Sequence, residues 1–164
     1  MANQNPQPEI YTTTHTFANT ATAGTQNIQT VFTNQSSSEE VRIYSIAVNR
    51  FVTGIGEDMA LGDTDFTVRI KIGNSYVPSQ EFDVGVVMAS DSKTLVFPTP
   101  ILVLFQQPIS VEVTWQGGYN LTTVGQDVTV KTSLMAELSS AQVACAPGEM
   151  GYPQSADTMM RRGA

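Results

Sequence analysis

Charge is scarce in this chain. Asp, Glu, Lys and Arg make up only 14% of its 164 residues, against roughly 25% in ordinary soluble domains. Thr, Ser, Asn and Gln take their place, and a surface of such residues can be covered by other protein at little desolvation cost. A freely diffusing enzyme rarely has this composition. Basic residues are the scarcer sign, eight against 15 acidic, for a net charge of −7. A nucleic-acid reader needs a basic stripe to displace counterions from phosphates, so sequence-specific nucleic-acid binding is not expected. Cys145 and His15 are the sole cysteine and histidine. That excludes an intramolecular disulfide and a structural zinc site, which takes three or four ligands. Long apolar runs are missing too: Ile101 to Phe105 is far too short for a bilayer-spanning helix. The start, Met-Ala-Asn-Gln-Asn-Pro-Gln-Pro, has neither the basic nor the apolar region of a secretory signal. The expectation is a product made in the cytoplasm and built into something larger afterwards.

What is present is a succession of short strands. The length corresponds to about one domain, and 41% hydrophobic residues suffice for one core. Residues 1–9 hold two Pro, two Asn and two Gln and read as an extended N-terminal arm. Ile10 to Phe17 and Gln26 to Thr33 are rich in β-branched and aromatic residues. Val41 to Val52 alternates at first and then drifts in phase, which predicts a long strand with a bulge. Asp65 to Ile72 is the cleanest alternation, with Phe66, Val68, Ile70 and Ile72 on one face and Thr67, Arg69 and Lys71 on the other. Glu81 to Met88 reads as another strand, with Phe82, Val84 and Val86 in phase. Lys93 to Phe97 follows, and Pro98-Thr-Pro100 separates it from Ile101 to Phe105. Ile109 to Trp115 alternates again. Gln126 to Leu138 is the last run, and its phase slips at Ser133-Leu134-Met135. A helix has room only at Glu57 to Leu61 or Ser133 to Ala144. The predicted class is all-β: an eight-stranded jelly roll or other antiparallel β-sandwich over residues 10–145, with extended N- and C-terminal arms. The C-terminal arm, 146–164, is poor in core-forming residues but carries Met150, Tyr152, Met159 and Met160.

No constellation points to catalysis or to a cofactor. His15 stands between Thr14 and Thr16 and reads as a surface or cross-strand residue. No Gly-x-Ser-x-Gly elbow occurs. Cys145, flanked by Ala144 and Ala146, has no basic neighbour to lower its pKa. Glu57, Asp58, Asp63 and Asp65 form the densest acidic group; hard cations favour clustered carboxylates, but Met59-Ala-Leu61 interrupts it, and a solvated acidic loop is the stronger reading. Trp115, Tyr119 and Tyr152 could stack on a sugar, although Trp115 ends a strand of core residues and should cap the core. Arg161 and Arg162 hold a quarter of the basic residues at the C-terminus. Near an anionic membrane or packaged genome each would contribute about 1 kcal/mol.

Between Asp65 and Trp115 the order of pieces is an alternating strand, the turn Gly-Asn-Ser-Tyr-Val-Pro, then Leu-Val-Phe-Pro-Thr-Pro-Ile and Pro-Ile-Ser-Val-Glu-Val-Thr-Trp. This resembles the second half of the jelly roll in single jelly-roll capsid proteins of tailless icosahedral double-stranded DNA phages with an internal membrane. The resemblance is architectural and extends over residues 10–138. It implies a barrel that forms the shell and arms that clasp neighbours or reach the underlying membrane. Apolar anchors such as Ile10, Met150, Tyr152, Met159 and Met160 would offset the entropy such arms lose on docking. The leading expectation is therefore a non-enzymatic virion structural protein whose partners are copies of itself and other virion proteins, with no small-molecule substrate. A lectin-like or receptor-binding sandwich, using Trp115, Tyr119 and the Glu57 to Asp65 loop, is the alternative. A cupin-type enzyme would need several metal-ligating histidines. Arg69, Lys71, Glu112 and Lys131 are expected on outward strand faces.

Overall fold

The computed structural model describes residues 6–53, 65–90, 93–117 and 125–140. Within them, β-branched and aromatic residues at alternate positions form nine strands and leave room for one short helix. The strands are β1 (Gln7–Phe17), β2 (Gln26–Thr33), β3 (Glu39–Val52), β4 (Phe66–Ile72), β5 (Ser75–Tyr76), β6 (Phe82–Asp83), β7 (Thr94–Val103), β8 (Pro108–Trp115) and β9 (Val128–Ser140); the helix α1 is Val84–Met88. The first sheet runs β1-β9-β3-β7. The second runs β2-β8-β4-β5, with β6 also on β4. All pairings are antiparallel.

The pairing pattern makes the sandwich a jelly roll. β1 pairs with β9, β2 with β8, β3 with β7, and β4 with β5 and β6, so the chain is one long antiparallel hairpin folded about the β4–β5 turn. Rolling that hairpin up adds the β3·β9 and β4·β8 ladders. At its centre Ile72 faces Ser75 across the two-residue loop Gly73-Asn74. Gly73 has φ +57° while Asn74 is not in the left-handed region, the arrangement that turns with Gly at their first central position provide for hairpins.

Inward-facing residues of both sheets form one core: Val41, Ile43, Ile46, Val48 and Val52 of β3; Phe66, Val68, Ile70 and Ile72 of β4; Ile109, Val111, Val113 and Trp115 of β8; and Val128, Val130, Leu134 and Ala136 of β9. Phe66 packs at 5.3 Å from Phe17 of the opposite sheet and 5.0 Å from Trp115, centroid to centroid. The bulge expected in β3 is at Tyr44, where the register shifts against both neighbours between Ile43 and Ser45.

Several expectations are corrected. The ladder starts at Gln7, so Gln7 to Glu9 belong to β1 and pair with Leu138 to Ala136. Glu81 to Met88 is not one strand: only Phe82 and Asp83 pair, and α1 follows. Val84 and Val87 are both buried while Val86 is 55% exposed, so the apolar spacing is helical, three apart, and not two. Ser133 to Ser140 is strand and not helix. The apparent phase slip in β9 is no slip at all. Val128, Val130, Thr132, Leu134 and Ala136 are all buried, and the polar Thr132 conceals an unbroken period of two. β7 is assigned as a single strand, yet Val96 pairs with Ser45 and Ile101 with Ile43, so Phe97 to Pro100 leave the ladder. Pro98 and Pro100 have no N–H to donate, which is the break the prolines predict. Leu104 and Phe105 lie beyond its end.

His15, expected at the surface, is wholly buried between β1 and β2. Its Nδ1–H donates to the Asn27 carbonyl at 3.1 Å, and the Thr132 hydroxyl lies 3.5 Å from Nε2. Burial lowers its pKa, against the opposing pull of the Asn27 bonds. The folded state therefore binds this proton less readily than the unfolded chain, whose His titrates near 6.5. Stability from this site is complete above that pH and is lost as pH falls from about 6.5 toward the lower folded value. Urea midpoints should drop across this interval, and His15→Gln should flatten that part of the profile.

Candidate assembly surface

The two outer faces of the sandwich differ in how they use charge. On the β2-β8-β4-β5 sheet the outward residues of β8 are Ser110, Glu112 and Thr114, and those of β4 are Thr67, Arg69 and Lys71. Several of them are joined by polar contacts, although the Arg69 Nε is buried without a hydrogen bond among the described residues. The Tyr76 hydroxyl donates to Glu112 at 2.9 Å, a bond that raises the tyrosine's pKa. The Arg69 guanidinium lies 5.0 Å from the Tyr76 ring centroid, with the Lys71 ammonium at 5.8 Å. Arg69 also lies 3.8 Å from Glu81, which accepts from the Thr67 hydroxyl at 2.9 Å. Glu112 faces outward as expected but is only 3% exposed, because Tyr76 covers it.

The outer face of the β1-β9-β3-β7 sheet is mostly neutral. Alternation sends Ile10, Thr12, Thr14 and Thr16 of β1 outward, because their odd-numbered neighbours Tyr11, His15 and Phe17 pack inward. The register then sets Ile10 opposite Met135, Met135 opposite Ser45, and Ser45 opposite Val96. Three of these four residues are exposed hydrophobics, Ile10 at 67%, Val96 at 68% and Met135 at 38%, and they make an apolar row across the sheet that is interrupted at β3 by the buried Ser45. Beside it runs a row of small uncharged residues, Thr12, Ser133, Ala47 and Thr94, in which the Thr12 and Ser133 hydroxyls are hydrogen-bonded at 3.0 Å. On the other side the charges are matched locally. Arg42 pairs with Glu40, and the Tyr44 hydroxyl donates to Glu137 at 2.5 Å. Lys131 is a second cation on this face.

Of the residues singled out from the sequence, Ile10 is on this row. Its partners Met135 and Val96 do not stand out in the sequence, where one lies at the apparent phase slip and the other just before the Pro98-Thr-Pro100 break. Strict alternation carried through Thr132 would have placed Met135 outward. Asp65 is not part of a solvated loop: it is buried, and its carbonyl accepts from the Gln116 N–H at 2.7 Å. Glu57, Asp58, Asp63, Tyr119, Cys145, Met150, Tyr152, Met159, Met160, Arg161 and Arg162 lie outside the described residues. Among the described residues there is no group of three His, Cys, Asp or Glu able to hold a metal ion, and no helix is long and apolar enough to cross a membrane. Trp115 is 2% exposed and caps the core as expected, so it offers no face to a sugar.

No protein-family model matches this chain, and neither does any curated protein sequence. Among solved structures, the acid-stable capsid structure of the Helicobacter pylori bacteriophage KHP30 is similar in outline. The match covers 83% of this chain and 99% of that one, at 13% identity and a TM-score of 0.36.

Proposed function

We propose that this chain is a non-enzymatic structural subunit of a virion shell, assembling with copies of itself and other virion proteins through the outer face of the β1-β9-β3-β7 sheet. The observation that carries this reading is the mostly neutral face crossed by the Ile10, Met135 and Val96 row. Jelly rolls serve as capsid subunits, lectins and cupins, and fold alone does not choose among them. The buried Trp115 weakens the lectin alternative. The single, fully buried histidine is likewise unlike a cupin metal centre. A shell contact needs a broad surface that loses water cheaply, and the Thr, Ser and Ala positions provide it. Each Å² of the apolar row covered by a neighbour contributes about 25 cal/mol.

Met135→Glu tests the proposal. The side chain points outward from a central strand, so the change should cost the isolated subunit about 0.5 kcal/mol or less. A carboxylate buried in a subunit contact would lack a partner. Sedimentation of the purified chain should show particles for the native sequence and subunits for Met135→Glu, with unchanged far-UV circular dichroism. A native chain that stays monomeric at high concentration, or a variant that assembles normally, would overturn the assignment.

A further inference from the structure

β1 and β2 end their sheets without a ladder between them, and among the described residues side chains alone bridge this side, His15 to Asn27 and Tyr11 to Phe32. At one corner of that side lies a groove of about 360 Å³ lined by Glu9, Tyr11, Phe32, Asn34, Glu39 and Leu138 among others. Its floor is aromatic: Tyr11 and Phe32 are stacked at 4.7 Å with 25° between their planes. Glu9 and Glu39 stand on its walls, and neither carboxylate is in an ion pair among the described residues. Burial first, and the Glu9 charge second, raise the Tyr11 pKa. The groove thus offers negative charge above a stacked ring pair, the combination that holds a guanidinium through charge and ring face together.

We infer that this groove is the seat of the chain's own C-terminal end, residues 159–164, with Arg161 and Arg162 set between Glu9 and Glu39 over the Tyr11 ring. Charge complementarity selects the occupant. Of the eight basic residues, Arg42 is paired with Glu40, Arg50 is buried, Arg69 and Lys71 lie over Tyr76, and Lys93 is engaged elsewhere. Lys131 sits on the opposite, outer side of the sheet. The terminal pair is the concentrated positive charge left for an acidic groove. The point of departure also fits. Ser140, the last described residue, pairs with Glu39, so the chain leaves β9 at the rim of the groove. An extended chain covers at most about 3.5 Å per residue, so Arg161 reaches back from Ser140 with length to spare. Tethering keeps its effective concentration near the millimolar range, enough for a contact of modest affinity.

Disulfide trapping tests this seat on single chains, so its outcome is independent of shell formation. In a Cys145→Ser background, or Cys145→Ala if that one fails to fold, Ala164→Cys is combined with Gln35→Cys at the groove or with Asn74→Cys at the remote β4–β5 turn. Under mild oxidation the groove pair should close within one chain about tenfold faster than the turn pair, as the local concentration of a docked end requires. Arg161→Glu with Arg162→Glu should remove that preference, and so should raised salt. Equal rates for the two pairs, a preference that survives charge reversal, or links only between chains would overturn the inference. So would a charge reversal that alters only adsorption to phosphatidylserine vesicles, since that would assign the arginines to an anionic surface.

Discussion

Phe66→Ala is expected to lower the stability of the subunit by about 3–5 kcal/mol, the range for emptying a fully buried phenylalanine position. Phe66 has no exposed surface and stands between Phe17 of one sheet and Trp115 of its own. Removing the ring deletes its transfer free energy, leaves a void between the two sheets and forfeits two tilted aromatic contacts, each typically about 0.5–1.5 kcal/mol beyond area burial. Rigid ladders on both sides limit how far the site can collapse. Since small domains are stable by only about 5–15 kcal/mol in total, the variant should unfold at a much lower urea concentration with a similar m-value. Phe66→Leu, which keeps most of the volume, should lose markedly less. If the alanine variant loses less than about 1 kcal/mol, the ring is not the joint between the sheets that its contacts imply.

Gly117→Ala is the second large effect, and it acts through the backbone. Gly117 has φ +85°, and a Cβ built there would lie 2.5 Å from the Cβ of Ala23 and 3.4 Å from its Cα. The neighbour is a short side chain with no rotamer to yield, so the β1–β2 connection itself would have to move. That connection is held to the end of β8 by backbone bonds, Gly24 N–H to the Trp115 carbonyl at 2.7 Å and Trp115 N–H to the Thr25 carbonyl at 2.9 Å. Left-handed backbone costs a non-glycine residue about 1–2 kcal/mol, and overpacking adds about 1–3 kcal/mol. Gly73→Ala is the internal comparison: it also has positive φ, but no atom lies within 4 Å of the built Cβ, so it should show the conformational cost alone. Thermal melts of the two variants separate the terms. Equal losses would mean that the Ala23 contact relaxes freely.

Much of the architecture was legible because alternation survives wherever one face is apolar. Phe66, Val68, Ile70 and Ile72 mark β4, and Ile109, Val111, Val113 and Trp115 mark β8, without reference to any neighbour. The reading failed where a buried polar side chain or a change of period intervened. Thr132 is buried beside His15 and hid the continuity of β9. Val84 and Val87 share a face only on a helix, and five residues are too few to reveal that period. His15 looked like a surface residue because nothing near it in the chain shows that Asn27 and Thr132 enclose it.

The sequence by itself determined the all-β class, the position of most strands and the scarcity of charge, since these depend on residue type and on the period of two along one strand. Which strands pair, which outward residues share a row, and where the remaining charges are neutralised were decided by the tertiary structure alone. Ile10, Met135 and Val96 are far apart in the chain and meet only because β1, β9, β3 and β7 take that order and register. Glu112 reads as a solvent-facing charge until Tyr76 is folded over it. Pairing is non-local, and a shift of one residue in register would send every one of these side chains to the other face.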